Sequence, residues 1–371
     1  MTQLRGQQIV SRLDADGTLT VELADHDVPA PTGTQVVVQV EAAPINPSDL
    51  GLLLGPADIE NATFTPGKIV ARMPDPAVRA MSARHGMAMP VGNEGAGTVV
   101  AAGEAPEAQA LLGKLVTCFP GAMYATYAVA DARMCLPLGD GITAEQGASA
   151  FVNPLTALSF TETMRHYGHK ALVHTAAASN LGQMLVKICQ ADGIPLVNVV
   201  RSEAQVAILK GIGAEHVVDS SKDSFIEDLT AAVQATQATM VFDAIGGGKL
   251  VSQILTVIEQ VANSGAAYSR YGSNSPKHAF IYGALDLSQT VLNRNYGFVW
   301  DVSGWLLTPW MAKLGPQIVE KMRNRVVAEL TTTFASNYKA RVSLEQALSR
   351  EAATDYNKRR TGEKYLIVPG A

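Results

Sequence analysis

The stretch ALVHTAAASNLGQMLVKICQADGIPLVNVVR, residues 171–201, constrains this 371-residue chain more than any other, because its periodicity changes repeatedly within one short span. Ala171–His174 is a short apolar run that reads as a buried strand, and a turn of small residues, Ala176–Gly182, follows it. Leu181, Leu185, Ile188 and Cys189 then recur at helical spacing until Asp192-Gly193 breaks the pattern. Pro195–Val200 reads as a second buried, parallel strand. Such a strand–turn–helix–strand unit offers backbone N–H groups at the positive end of a helix, which suits a dinucleotide pyrophosphate. The end of the second strand, about 20 residues on, is where an acid binds the ribose 2′-hydroxyl of NAD or an arginine accommodates the 2′-phosphate of NADP. Arg201 stands there and no acid follows until Glu203, so these residues point to NADPH. The strict glycine fingerprint is not met: Ala176, Ser179 and Gly182 occupy an A-x-x-G-x-x-G frame, and plain strand–helix packing is the other reading of the turn.

A chain of this length exceeds one compact core, so two domains are expected. Hydrophobic residues make up 47% and charged residues 17%, which is globular composition and excludes a disordered chain. The formal charge of −5 leaves no basic footprint for nucleic acid. No 18-residue apolar run occurs and the N-terminus, MTQLRGQQIVSRLDADG, is polar, so no membrane association is expected and a cytoplasmic setting is. Cys118, Cys135 and Cys189 are scattered without a CxxC pair and read as buried small hydrophobes.

The chain changes rhythm along its length. Up to about residue 135 it reads as β-rich, with alternating runs at Thr18–Leu23, Gln35–Val40, Gly97–Val100, Lys114–Phe119 and Tyr124–Val129 and helical spacing only around Ala77–His85. From Ala144 helices alternate with strands at Ala171–His174, Leu196–Val200, His216–Val218, Met240–Ala244, Phe280–Tyr282 and Gly297–Val299, the pattern of a doubly wound parallel sheet. A helical segment at Lys313–Leu330 then precedes strand-like runs at Thr331–Phe334 and Lys364–Val368, with a helix at Ser343–Arg350 between them.

Seven motifs in order, the small-residue turn together with AAPINPSDL (Ala42–Leu50), VGNEGAGTVVAAG (Val91–Gly103), FVNPLTAL (Phe151–Leu158), GIGAEHVVDSS, FDAIGGG and the terminal TGEKYLIVP, resemble the medium-chain dehydrogenase/reductase superfamily, in its zinc-free NADPH:quinone oxidoreductase (zeta-crystallin-like) branch. The resemblance covers nearly the whole chain. It implies an α/β architecture, a GroES-like β-barrel catalytic domain (residues 1–152 and 304–371) with an inserted Rossmann domain (residues 153–303). It also implies an active site between the two and a homodimer. Zinc-dependent members supply a Cys in the first motif and a GHE histidine in the second. Here the first reads Asn46-Pro47-Ser48-Asp49 and the second has Asn93, so no metal is expected; Asp49 and Glu94 read as loop hydrogen-bonding groups.

The chemistry that fits a metal-free site is hydride delivery from NADPH to an electrophilic carbon of a quinone or an α,β-unsaturated carbonyl. By the resemblance, Asn46 stands near the nicotinamide, or simply fixes a turn. Thr156 contacts the cofactor or caps a helix. Ser179, Asn180, Leu181 and Gly182 meet the pyrophosphate, and Tyr282, Gly283 and Phe298 face the nicotinamide half. Lys364 lies near the phosphates or in solvent. The resemblance extends to enoyl-thioester reductases, whose acid is a tyrosine shortly after the first motif. That place reads LGLLLGPADIE here, so Tyr124 is the remaining phenol, with strand packing as its other reading. A non-catalytic, crystallin-like holder of NADPH, structural or RNA-binding, is the reading from another class. Two segments look long: Gly55–Pro90, expected to overhang the substrate with Met81, Met87 and Met89 as apolar lining or ordinary packing, and Asn263–Ala279. In the latter, Tyr268, Arg270, Tyr271 and Lys277 are expected at the adenosine side of NADPH or at a neighbouring subunit. Trp300, Trp305 and Trp310 are expected at an interdomain or subunit contact.

Overall fold

The computed structural model describes residues 4–361 and 364–370; Gly362 and Glu363 of the TGEKYLIVP motif lie outside the described residues. The chain divides into two compact units, one of residues 1–152 and 326–371, the other of residues 153–325. The sequence reading ends the inserted region at residue 303. The second unit instead holds residues up to 325, because Trp305 lies edge-on to Phe160 and Phe242 of its core and Arg325 pairs with Asp192 at 2.9 Å.

The first unit is built from two sheets. Strand Leu4–Leu13, absent from the sequence reading, pairs antiparallel with Thr18–Val28 along its full length. Its polar opening masked it: only Ile9, Val10, Ser11 and Leu13 are buried there. The same sheet takes in Lys68–Arg72 and Thr63–Thr65, a hairpin inside the segment read as an unpatterned insertion. A helix, Asp75–Ala80, follows within that insertion. Met81 packs against the unit's core, whereas Met87 is exposed. The second sheet is centred on Gln35–Pro44, which pairs with Gly95–Ala102, Tyr127–Asp131 and Tyr365–Ile367. Thr331–Phe334 is a turn, and the strand beside Tyr365–Ile367 is Ala340–Val342, in parallel. Ile9 N–H donates to the Tyr124 carbonyl at 2.8 Å and ties the two sheets together. Cys118 and Cys135, distant in sequence, are direct partners across an antiparallel pair and are both free thiols.

Registers on the central strand place the chemistry. Ala42 stands opposite Ala96, and Pro44 opposite Leu366, while Ile45 N–H donates to the Tyr365 carbonyl. Asn46, Glu94 and Lys364 each lie just beyond one of these paired positions, so three remote segments reach the same end of one sheet.

The second unit is a six-stranded parallel sheet in the order His216–Asp219, Leu196–Val200, Leu172–Thr175, Met240–Asp243, Lys277–Ile281, Trp300–Gly304. The chain winds outward to one side of Leu172–Thr175 and then returns to build the other side. The order therefore reverses between Leu172–Thr175 and Met240–Asp243, the kind of switch point at which doubly wound sheets bind ligands. The last strand begins at Trp300, where the sequence reading placed Gly297–Val299, and Phe298 precedes it, 78% exposed. Trp305 and Trp310 are buried against aromatic residues of this unit's own core. Among the described residues, no helix is long and apolar enough to cross a membrane.

Candidate active site

Two constellations form, one in each unit. In the second, the strand Leu172–Thr175 is buried at every position and ends at the small-residue turn. Ala176 adopts a left-handed conformation, φ 49°, one that glycine takes without penalty. Ser179 is the N-cap of helix Asn180–Asp192, its hydroxyl oxygen accepting the Gly182 N–H at 3.2 Å. The Gly182 amide is therefore occupied within the turn, while the Ser179 hydroxyl, accepting that bond, keeps its own O–H to donate. The glycine is required for another reason: a Cβ at Gly182 would sit 2.1 Å from the Ala177 carbonyl oxygen. Turn and helix touch there, with Asn180 and Leu181 forming the first helical turn.

Beneath the turn lies a pair that the sequence reading missed. Thr175 Oγ1 donates to Asp243 Oδ1 at 2.6 Å and accepts the Ala244 N–H at 2.9 Å, and Asp243 also accepts N–H groups of Ile245 and Gly246. Both side chains are fully buried and lock together the carboxyl ends of the two strands at the switch point. Gly283 lies beside this lock, where a Cβ would come within 2.5 Å of the Ala244 oxygen. Tyr282 shares a 2.7 Å hydrogen bond with His174 Nε2 and stacks on its ring. Burial holds His174 neutral, its pKa lowered to about 3. Tyr282, Gly283, Trp305 and Trp310 line a hollow of about 500 Å³.

Arg201 directly follows strand Leu196–Val200 and is exposed. Its backbone N–H donates to Gln205, while its guanidinium makes no hydrogen bond or ion pair among the described residues. Glu203, the nearest following acid, is held by Lys222 at 2.7 Å. A free cation thus stands at the strand end where the sequence reading expected it.

Other predicted positions fare differently. Phe298 is not in the final strand and meets Tyr271 edge-on. Lys277, expected at the adenosine side of NADPH or at a neighbouring subunit, is fully buried with its ammonium 2.6 Å from Glu259 and further bonded to Ser273 and Ser275. Tyr268 and Tyr271 are exposed, and Arg270 lies over the Tyr271 ring. Thr156 is buried inside helix Val152–His166, a turn beyond its start, so it is no cap.

The first unit gathers Asn46, Asp49, Glu94, Tyr124, Ser149, Tyr338 and Lys364. Asp49 accepts the Asn46 N–H at 2.8 Å and the Asn93 N–H at 2.7 Å, joining the two loops. Burial raises its carboxyl to about 6, against the pull of these bonds. Glu94 is wholly buried; it accepts the Asn46 side-chain N–H at 2.8 Å and the amides of Phe151 and Val152 at 3.0 and 2.7 Å. Burial raises the Glu94 pKa, and the charge of Lys364 opposes that rise. The Asn46 amide oxygen has no hydrogen-bond partner among the described residues although it is buried. Lys364 donates to Ser149 Oγ at 2.6 Å, and Ser149 Oγ lies 2.9 Å from the Tyr338 hydroxyl.

Tyr124 is the clearest correction. It is fully buried, its hydroxyl donates to the Pro44 carbonyl at 3.0 Å, and burial beside Asp49 raises its pKa well above that of a free phenol. A proton so held is not one to give away, and Tyr124 braces the strand end that carries Asn46. Ser149 and Tyr338 carried no sequence signal, being remote from each other and from Lys364. Among the described residues, no group of three or more His, Cys, Asp or Glu side chains is placed to hold a metal.

Residues 181–266 match the family model for zinc-binding dehydrogenases. The chain is 26% identical, over 76% of its own length and 75% of the other, to the mitochondrial enoyl-[acyl-carrier-protein] reductase of Caenorhabditis elegans. The bovine and human enzymes of that name are matched over 57% of their length. Among solved structures it superposes, with 26% identity over the whole of both chains and a TM-score of 0.76, on a Mesorhizobium loti protein provisionally assigned as an NADPH:quinone reductase. It also shares its fold with a mycobacterial protein solved in complex with NADPH, at 17% identity, a TM-score of 0.69, and 98% and 100% coverage of the two chains.

Proposed function

We propose, from this chain's membership of the medium-chain dehydrogenase/reductase superfamily, that it is an NADPH-dependent oxidoreductase that reduces quinones or α,β-unsaturated carbonyls without zinc. The observation that carries the cofactor assignment is Arg201, a cation unpaired among the described residues, one residue past the second strand of a turn that only a glycine at position 182 allows. The residues fit such a group: the helix start at Asn180–Leu181 and the close-packed turn suit a pyrophosphate, and Arg201 suits a 2′-phosphate. When bound, NADPH would supply the hydride. Gly283 keeps the strand end beside Ala244 free of side-chain bulk, and Tyr282 is fixed by His174.

The reading without zinc is supported by the donor set, since Asp49 is committed to two backbone amides and Asn93 holds the Ser48 hydroxyl through its side chain. Asn46, held by Glu94, keeps a buried acceptor oxygen for a donor that the described residues do not supply, such as a bound water. A second reading, reduction of enoyl thioesters, is favoured by the enoyl-[acyl-carrier-protein] reductase relatives. A homodimer is part of the proposal, read from the resemblance and checked by light scattering.

NADPH oxidation followed against benzoquinone, a 2-alkenal, a cyclic enone and crotonyl-CoA, with and without chelator, tests the proposal. Chelator-insensitive turnover of quinone or enone supports the first reading, and turnover of crotonyl-CoA alone supports the second. Tight NADPH binding without turnover of any acceptor would instead leave a cofactor-holding protein.

A further inference from the structure

We propose that one water molecule is bound inside the second unit, accepting the Nδ1–H of His174 and donating to the Asn198 amide oxygen, and that it thereby fixes Tyr282 as the donor to His174. The site stands whichever reaction the chain performs.

Sheet register brings the two side chains together. His174 stands opposite Asn198 on neighbouring parallel strands, Leu172–Thr175 and Leu196–Val200. Laterally paired residues project from the same face of a sheet, and their strands run about 4.8 Å apart. On its other side His174 stands opposite Phe242, and Phe242 opposite Phe280. The Phe160 ring stacks on Phe242 and also meets the His174 ring. Two polar side chains, 0% and 1% exposed, thus share a row that continues in aromatic rings.

Each keeps one buried polar atom without a hydrogen-bond partner among the described residues, Nδ1 of His174 and Oδ1 of Asn198. Buried polar atoms are almost always paired, with protein or with ordered water. The open atom of Asn198 is its oxygen. Its amide nitrogen donates to the His216 carbonyl at 3.2 Å and reaches that of Leu196 at 3.5 Å, and a flipped amide would set oxygen against both. The open atom of His174 is Nδ1, because Nε2 lies 2.7 Å from the Tyr282 hydroxyl.

Counting hydrogens assigns the rest. Burial holds His174 neutral, so one ring nitrogen carries hydrogen and the other accepts. A phenol is a stronger acid than a neutral imidazole N–H, so Tyr282 donates to Nε2 and the ring hydrogen sits on Nδ1. An N–H and an amide oxygen are then left on neighbouring strands without a direct bond between them. Water accepts as well as donates, and two such partners are what a buried water requires. The row of Asn198, water and His174 runs from the strand that Arg201 follows to Tyr282, in the wall of the hollow of about 500 Å³. Asn198 is therefore a positioning residue, acting on Tyr282 through the water and the imidazole.

Two measurements on the whole protein test this. Long-range proton–nitrogen correlation spectra of the wild type at neutral pH should show hydrogen on Nδ1 of His174 and none on Nε2. A crystal structure should place a water within hydrogen-bond distance of both His174 Nδ1 and Asn198 Oδ1. A direct bond between the two side chains, an empty space between them, or hydrogen on Nε2 in the wild type overturns the proposal. Asn198→Leu removes the acceptor beyond the water, so the ring hydrogen should move to Nε2, where the Tyr282 oxygen accepts it. An unchanged tautomer in that variant would overturn the positioning role of Asn198, and the wild-type measurements hold even where the variant does not fold.

Discussion

Asn46 gives its side-chain N–H to Glu94 Oε1 at 2.8 Å, while its own amide oxygen, equally buried, receives nothing from the described residues. A carboxylate only accepts, so the pairing fixes which way the amide points. Asn46→Ala removes one of three donors from a buried carboxylate and should destabilise the protein by about 1–3 kcal/mol. Asn46→Asp sets two carboxylates together and should destabilise it further. Urea denaturation of the two variants checks both size and order; an unchanged midpoint would mean that Glu94 does not depend on this donor.

Gly182→Ala should unsettle the turn. The added Cβ would meet the Ala177 carbonyl oxygen at 2.1 Å, and that oxygen belongs to backbone that cannot swing aside. A cost of about 1–3 kcal/mol, typical of overpacking, is expected, with NADPH affinity falling as well. Gly193→Ala, at the C-cap of the same helix, where nothing lies within 4 Å, is the control: its left-handed φ of 63° costs some stability, but NADPH affinity should hold.

Lys277→Met should be among the most damaging substitutions in the second unit. It strands the buried Glu259 carboxylate, and loss of one partner from a buried pair costs about 3–5 kcal/mol. Adding Glu259→Gln should recover part of the loss. A double variant no more stable than the single one would show that Ser273 and Asn263, which also bond Glu259, carry the site alone.

Much of this was legible in the chain and some was not. The turn at Ala176–Gly182 announces itself because strand and helix periods meet there, and Arg201 follows at a fixed distance. Lys277 was misread because it lies in a polar loop sequence, and only the pairing of Lys277–Ile281 with Met240–Asp243 and Trp300–Gly304 carries it inside. Strand Leu4–Leu13 was hidden by its half-exposed alternation, and Thr175–Asp243 by its dependence on which parallel strands are neighbours. Ser149, Tyr338 and Lys364 come together through sheet register and capping across the whole chain, which no local pattern encodes.

Acid should weaken the fold through its buried histidine. His174 has a folded pKa of about 3 against 6.5 for a free imidazole, so the unfolded chain binds protons first. Its contribution is intact above pH 6.5 and is lost as pH falls; by about pH 4.5 the loss is about 3 kcal/mol. Asp49, raised from 3.8 to about 6, acts in the opposite sense, binding its proton more tightly in the folded state. The difference in pH slope between wild type and His174→Phe, from urea midpoints, isolates the histidine. Parallel slopes would mean that His174 is protonated in the folded protein.

The central claim, a dinucleotide site selected for NADPH by Arg201, is tested most directly by calorimetric titration of NADPH and NADH into wild type and Arg201→Ala. The expected result is tighter binding of NADPH by the wild type. Loss of the arginine should weaken NADPH by about 10–100-fold, the worth of one charge-assisted hydrogen bond, and leave NADH nearly unchanged. Equal binding of both dinucleotides by wild type, or equal losses in the variant, would contradict the assignment.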